Sequence, residues 1–97
     1  MAIKKDKKFD QLFEAFSKLE SIDEFYALFE DLCTMSEIND MRDRFEVARL
    51  LIEGHTYTQI ESETSMSSAT ISRVNRCIQY GPGGYRTALN RLNPKRA

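Results

Sequence analysis

Between Thr56 and Ile78 two helix-start signals stand so close together that only a tight corner can join the helices they open. Thr56 and Gln59 form an S/T-x-x-Q box, in which a hydroxyl and a side-chain amide each satisfy a backbone group the helix start leaves open. Ser67 caps a second helix opening Ser68-Ala69-Thr70-Ile71-Ser72-Arg73, and Ser65-Met66 forms the turn. Ile60, Met66, Ile71 and Val74 have the spacing that packs the two helices against each other, with Thr64 extending the inward edge. The predicted arrangement over residues 57–78 is a helix-turn-helix.

The outer face of the second helix then carries Ser67, Ser68, Ala69, Thr70 and Ser72. Short side chains let a helix backbone approach base edges, hydroxyls donate or accept there, and Ala69 suits a thymine methyl. The helix N-terminus favours a phosphate, and Arg73 and Arg76 follow one and two turns along, placed for phosphate contact or ligand binding. Two positions depart from the generic motif: Glu61 stands where a small residue is usual, and Ser65 where Gly would supply a positive φ. An ordinary helical corner with Ser-rich capping is the alternative reading.

The remaining periodicity predicts four more helices. Phe9, Leu12, Phe13, Phe16 and Leu19 form one stripe over about residues 9–19. A Ser21–Glu24 capping box opens a second helix, whose apolar set (Ile22, Phe25, Tyr26, Leu28, Phe29, Leu32, Cys33) spreads over more than half its circumference. So wide a face predicts burial against two partners, one of them a second chain. The third helix is expected over about residues 36–53, lined by Ile38, Met41, Phe45, Ala48, Leu51 and Ile52 and ended by Gly54. Gly81-Pro82-Gly83-Gly84 stops the helix after Ile78. Tyr85, Ala88, Leu89 and Leu92 mark a sixth helix before Asn93-Pro94. A single all-α domain over residues 1–97 is expected, with residues 1–8 as a basic arm.

The net charge of −1 conceals a segregation. Residues 9–66 carry fourteen acids against four basic side chains, whereas residues 67–97 carry six basic side chains and no acid. A positive C-terminal third can face phosphates while an acidic body faces away; a merely solvated tail is the alternative. Cys33 and Cys77 lack metal-ligand spacing and are read as small hydrophobes on helix faces. Met35, Met41 and Met66 are read as core filling. No apolar run reaches membrane-spanning length and no signal peptide is recognised, so a reduced cytoplasmic setting is expected. No HExxH, Cys pair or phosphate loop accompanies the lone His55, so neither enzyme activity nor a metal or cofactor is expected.

Leu32-Cys33-Thr34, Arg44, Leu50-Leu51, Gly54 and Ala69-Thr70-Ile71-Ser72-Arg73 together resemble the Trp repressor superfamily, and within it the Trp-repressor-related branch labelled YerC/YecD. The resemblance spans about residues 31–89. It implies a six-helix, intertwined homodimer and a repressor that binds palindromic double-stranded DNA, since helix-turn-helix dimers, Trp repressor among them, read half-sites about one turn apart. The positions nearest DNA would be Tyr57, Thr58 and Glu61 on the first helix of the motif and Ser67, Ser68, Ala69 and Ser72 on the second. Arg44 and Arg73 match two arginines that flank an indole in Trp repressor, which implies a pocket for a small-molecule co-repressor. There Val74 stands where a Gly leaves room, and Cys77 where a Ser helps hold the amino group. Added bulk at a pocket wall commonly costs about 1–3 kcal/mol, so tryptophan is expected to bind weakly or not at all. The plain alternative for Arg44 is ion pairing with Asp40, Asp43 or Glu46. The alternative for the whole chain is a protein-interaction module that keeps a helix-turn-helix shape and uses its acidic body as the contact surface.

Overall fold

The computed structural model describes residues 2–94, so Met1 and the last basic residues, Lys95 and Arg96, lie outside the described residues. Six α-helices and no strands are found among them: α1 (Lys7–Lys18), α2 (Ile22–Leu32), α3 (Met35–Ile52), α4 (Tyr57–Thr64), α5 (Ser68–Tyr80) and α6 (Gly84–Leu92). None is long and apolar enough to cross a membrane. By internal contacts the chain divides into two compact units, Met1–Met35 and Ser36–Ala97.

In the first unit, α1 starts two residues earlier than the apolar stripe predicts. The Asp6 carboxylate accepts from the Phe9 N–H at 2.7 Å, so Lys7 and Lys8 are helical rather than part of a free arm. At α2, Ser21 caps as expected, its hydroxyl accepting from the Glu24 N–H at 3.2 Å. The reciprocal half of the box differs: the Glu24 carboxylate takes the N–H of Glu20, at 2.6 Å, in place of that of Ser21. Between the two helices the rings of Phe16, Phe25 and Phe29 pack together, with Phe16 and Phe29 stacked at 5.4 Å. Yet no side chain of α1 or α2 is fully buried, and Ile22, Tyr26 and Leu32 are at least half exposed.

The second unit holds the core: Val47, Ala48 and Leu50 of α3, Ile60 of α4, Ile71, Val74 and Ile78 of α5, and Leu89 of α6. Ile60, Ile71 and Val47 have no exposure at all. Burying side chains of this size stabilises by about 1.5–3 kcal/mol each. Val47 and Leu50 lie off the stripe read from the sequence, because α3 is apolar on more than one side and its neighbours choose which side closes. Met41 lies on the same face as Ala48, two turns nearer the N-terminus, and is exposed, as is Met35; neither fills a core in the single chain. On α6, Leu89 is buried and Tyr85 half-buried, but Ala88 and Leu92 face out.

The corner after α3 is closed by backbone alone. Gly54, at φ +95°, lets its own N–H reach the Leu51 carbonyl at 3.0 Å and the His55 N–H reach the Leu50 carbonyl at 3.1 Å. These two bonds make a Schellman motif. His55 stands just beyond it, its Nδ1 3.5 Å from the Glu63 carboxylate and its Nε2 4.0 Å from that of Glu53. At the end of α5 a different constraint acts. A Cβ on Gly81 would come within 2.4 Å of the Cys77 carbonyl oxygen, so only Gly allows the chain to turn there.

Candidate nucleic-acid interface

The helix-turn-helix is α4, a turn at Ser65–Ser67, and α5. The Thr56–Gln59 box forms completely: the Thr56 N–H donates to Gln59 Oε1 at 2.8 Å, and the Gln59 N–H to the Thr56 hydroxyl at 3.2 Å. Ser65 adopts φ +60°, ψ +13°, the left-handed conformation that its place in the motif requires. Ile60, Ile71 and Val74 then meet in the core, with half-buried Met66 against them.

On the outside of this unit Tyr57, Thr58 and Glu61 of α4 are exposed, as are Ser67, Ser68, Ala69, Arg73 and Arg76 at and along α5. The hydroxyls predicted to read bases are not equally free. Ser67 caps α5, its oxygen accepting from the Thr70 N–H at 3.2 Å, and it also pairs with the Thr70 hydroxyl at 3.2 Å. Thr70 and Ser72 are half-buried. The free, outward positions at the start of α5 are therefore Ser68 and Ala69, followed by the guanidinium of Arg73. Among the described residues no acid follows Glu63, so the α5 face is positive or neutral throughout.

Arg44 of α3 and Arg73 of α5 line one cleft of about 180 Å³, together with Asp40, Asp43, Met66 and Thr70. Neither arginine forms an ion pair among the described residues. Of the acids beside Arg44, Asp43 binds Arg42 at 2.9 Å and Glu46 accepts from Arg49 at 2.7 Å, while Asp40 lines the cleft without pairing with Arg44. The ion-pair alternative for Arg44 is thus not realised. The other two residues expected in the pocket lie elsewhere. Val74 is buried in the core beneath α5. Cys77 is exposed, not a core hydrophobe, and lines a separate apolar hollow of about 330 Å³ with Phe45, Pro82, Gly83, Gly84 and Tyr85. The reason is helical geometry: Val74 turns inward beside Arg73, whereas Cys77, one turn beyond Arg73 on the same face, lies past the Asp40–Arg44 turn of α3 and meets Phe45 instead. At the hollow, burial pushes the Tyr85 phenol above its usual range; Cys77 adds to the rise and Arg44 opposes it.

Asp40, Asp43, Met66 and Thr70 also line the cleft, although the sequence does not mark them as pocket residues. Asp40 lies one turn before Arg44, and the i, i+4 spacing was the available signal; for Met66 and Thr70, read respectively as core and as base-reading, no local signal existed.

A family model described as Trp repressor protein matches residues 7–93. The chain is 51% identical over 86 residues to the uncharacterized protein YerC of Bacillus subtilis (strain 168), covering 89% of this chain and 83% of that one. It superposes on the crystal structure of a "putative Trp repressor" from Staphylococcus aureus with a TM-score of 0.87 and 43% identity, over 92% of this chain and 89% of the other. A TrpR-like protein from Eubacterium eligens ATCC 27750 gives a TM-score of 0.86 and 48% identity, over 91% of each chain.

Proposed function

The chain belongs to the Trp repressor family, and on that premise we propose that it is a homodimeric transcriptional repressor that binds palindromic double-stranded DNA through α4 and α5. The observation that carries the reading is the outer face of α5. It presents small side chains at Ser68 and Ala69, a capped N-terminus at Ser67, and Arg73 and Arg76 beyond, on a stretch without acids. Tyr57 and Thr58 flank it from α4, and Thr70 and Ser72 support it from its half-buried side. The need for a second copy is supported by α1 and α2, which bury no side chain fully within one chain. A helix pair with so much uncovered apolar surface calls for a partner.

The effector reading is narrower. Arg44 and Arg73 share a cleft whose volume, about 180 Å³, is below the roughly 300–1,000 Å³ usual for small-molecule sites. Its lining is mostly charged, which suits an indole poorly. We therefore assign the regulator an effector other than tryptophan, or none.

Selection on random duplexes, followed by mobility shifts across a salt series, tests the proposal. Expected is a palindromic consensus whose affinity falls steeply with salt as counterions are released. Arg73→Ala should weaken binding and reduce the salt slope by about one phosphate contact. Failure to shift any duplex at low salt would refute DNA binding and favour a protein-interaction module. Exposed Glu61 on α4 is the feature that fits that second reading.

A further inference from the structure

The two corners that flank α4 are built differently, and the difference assigns a role to Thr64. After α3 the backbone closes itself, because Gly54 and His55 both return their N–H groups to helix carbonyls. After α4 only one such bond forms: the Ser65 N–H reaches the Glu61 carbonyl at 3.2 Å. This is the simpler left-handed cap, which leaves the next amide without a helix partner. That amide belongs to Met66, and it donates to the Thr64 hydroxyl at 3.2 Å. The same hydroxyl donates to the Ile60 carbonyl at 2.7 Å. One oxygen thus ties the last turn of α4, at the fully buried Ile60, to the first residue after the bend. A side chain stands in for the backbone bond that the other corner possesses.

Met66 directly precedes Ser67, the cap of α5. Anything that lets the Met66 amide swing changes the direction in which Ser68 and Ala69 leave the turn. We propose that Thr64 is a positioning residue for sequence discrimination: its hydroxyl sets the angle of α5 to α4 without touching DNA. The inference rests on the DNA-binding reading above. Arg73 and Arg76, farther along α5, can still find phosphates when the helix start tilts, so non-specific affinity is less sensitive to the tether. Base discrimination is more sensitive, because base contacts tolerate little displacement while phosphate contacts carry no sequence information.

The test compares wild type, Thr64→Val and Thr64→Ser on the selected duplex and on a scrambled duplex, at a temperature where circular dichroism shows each protein folded. Expected is a fall of at least fivefold in the ratio of specific to non-specific affinity for T64V. Scrambled-duplex affinity should stay within twofold, and T64S should restore the ratio. A purely structural role would lower both affinities together. A T64V protein that discriminates as well as wild type overturns the proposal, as does equal loss on both duplexes. Amide exchange of Met66 in wild type is the second measurement and stands even if T64V does not fold: protection is expected, and exchange at the rate of a free amide overturns the tether. A wild type that shifts no duplex overturns the DNA-binding reading itself, a result distinct from either.

Discussion

Ser65→Gly should stabilise this protein. Ser65 sits at φ +60° with an exposed side chain, and it is the one non-glycine residue among those described to hold a positive φ. For an L-residue that conformation costs about 1–2 kcal/mol, because Cβ crowds the neighbouring carbonyl oxygen. Glycine removes the clash but frees the unfolded chain, returning about 0.4–1 kcal/mol. The Ser65 N–H bond to Glu61 is made by backbone and survives the change. Taken at the middle of both ranges, the net gain is about 0.8 kcal/mol, which for a chain of this size corresponds to roughly 3–6 °C in Tm. Thermal unfolding followed at 222 nm reads it, with variants compared at one protein concentration because association shifts Tm. Ser65→Val should move the other way, since a β-branched residue tolerates this conformation least. An unchanged or lower Tm for S65G, or an S65V protein as stable as wild type, would refute the strain argument and the left-handed turn with it.

Three further outcomes are expected. Ile60→Ala, at a site with no exposure, should cost about 2–5 kcal/mol; urea midpoints measure it, and a loss under 1 kcal/mol would mean that the α4–α5 core is not closed. Raising the pH through the alkaline range should destabilise the wild type more than Tyr85→Phe. The folded state holds the Tyr85 proton more tightly than the unfolded chain, so that stability is present below the ordinary phenol range and lost as pH rises through the raised value. Equal alkaline slopes in the two proteins would count against it. Calorimetric titration with L-tryptophan should give no saturable heat at micromolar concentrations, and a clear micromolar isotherm would return tryptophan to the Arg44–Arg73 cleft.

What could be read in advance follows from the range of the forces involved. Helix starts at Ser21, Thr56 and Ser67 and the stop at Gly54 were legible, because each rests on bonds between residues a few positions apart, whereas Ser65, which reads as a departure from the motif, takes the positive φ without being Gly. Even so, Asp6 was overlooked as a cap, and that one carboxylate moved the start of α1 into the lysine run. The family was legible too, since most of the residues that carry it lie between the start of α3 and α5.

The residues expected at the pocket separate in the fold. Arg44 and Arg73 do share a cleft, but Val74 and Cys77 do not join them. Which hydroxyls on α5 stay free follows from the Ser67 cap itself, whose bond to the Thr70 N–H brings the Thr70 hydroxyl within reach as well. The sequence by itself determined where the helices start and stop and where the chain must bend, through caps and turn residues acting on their own neighbours. Only the tertiary structure decided that α3 closes on Val47 and Leu50 and that Thr70 and Arg73 line one cleft with Arg44. Those outcomes depend on which surfaces meet once distant segments pack, and a helix with more than one apolar side leaves that choice to its neighbours.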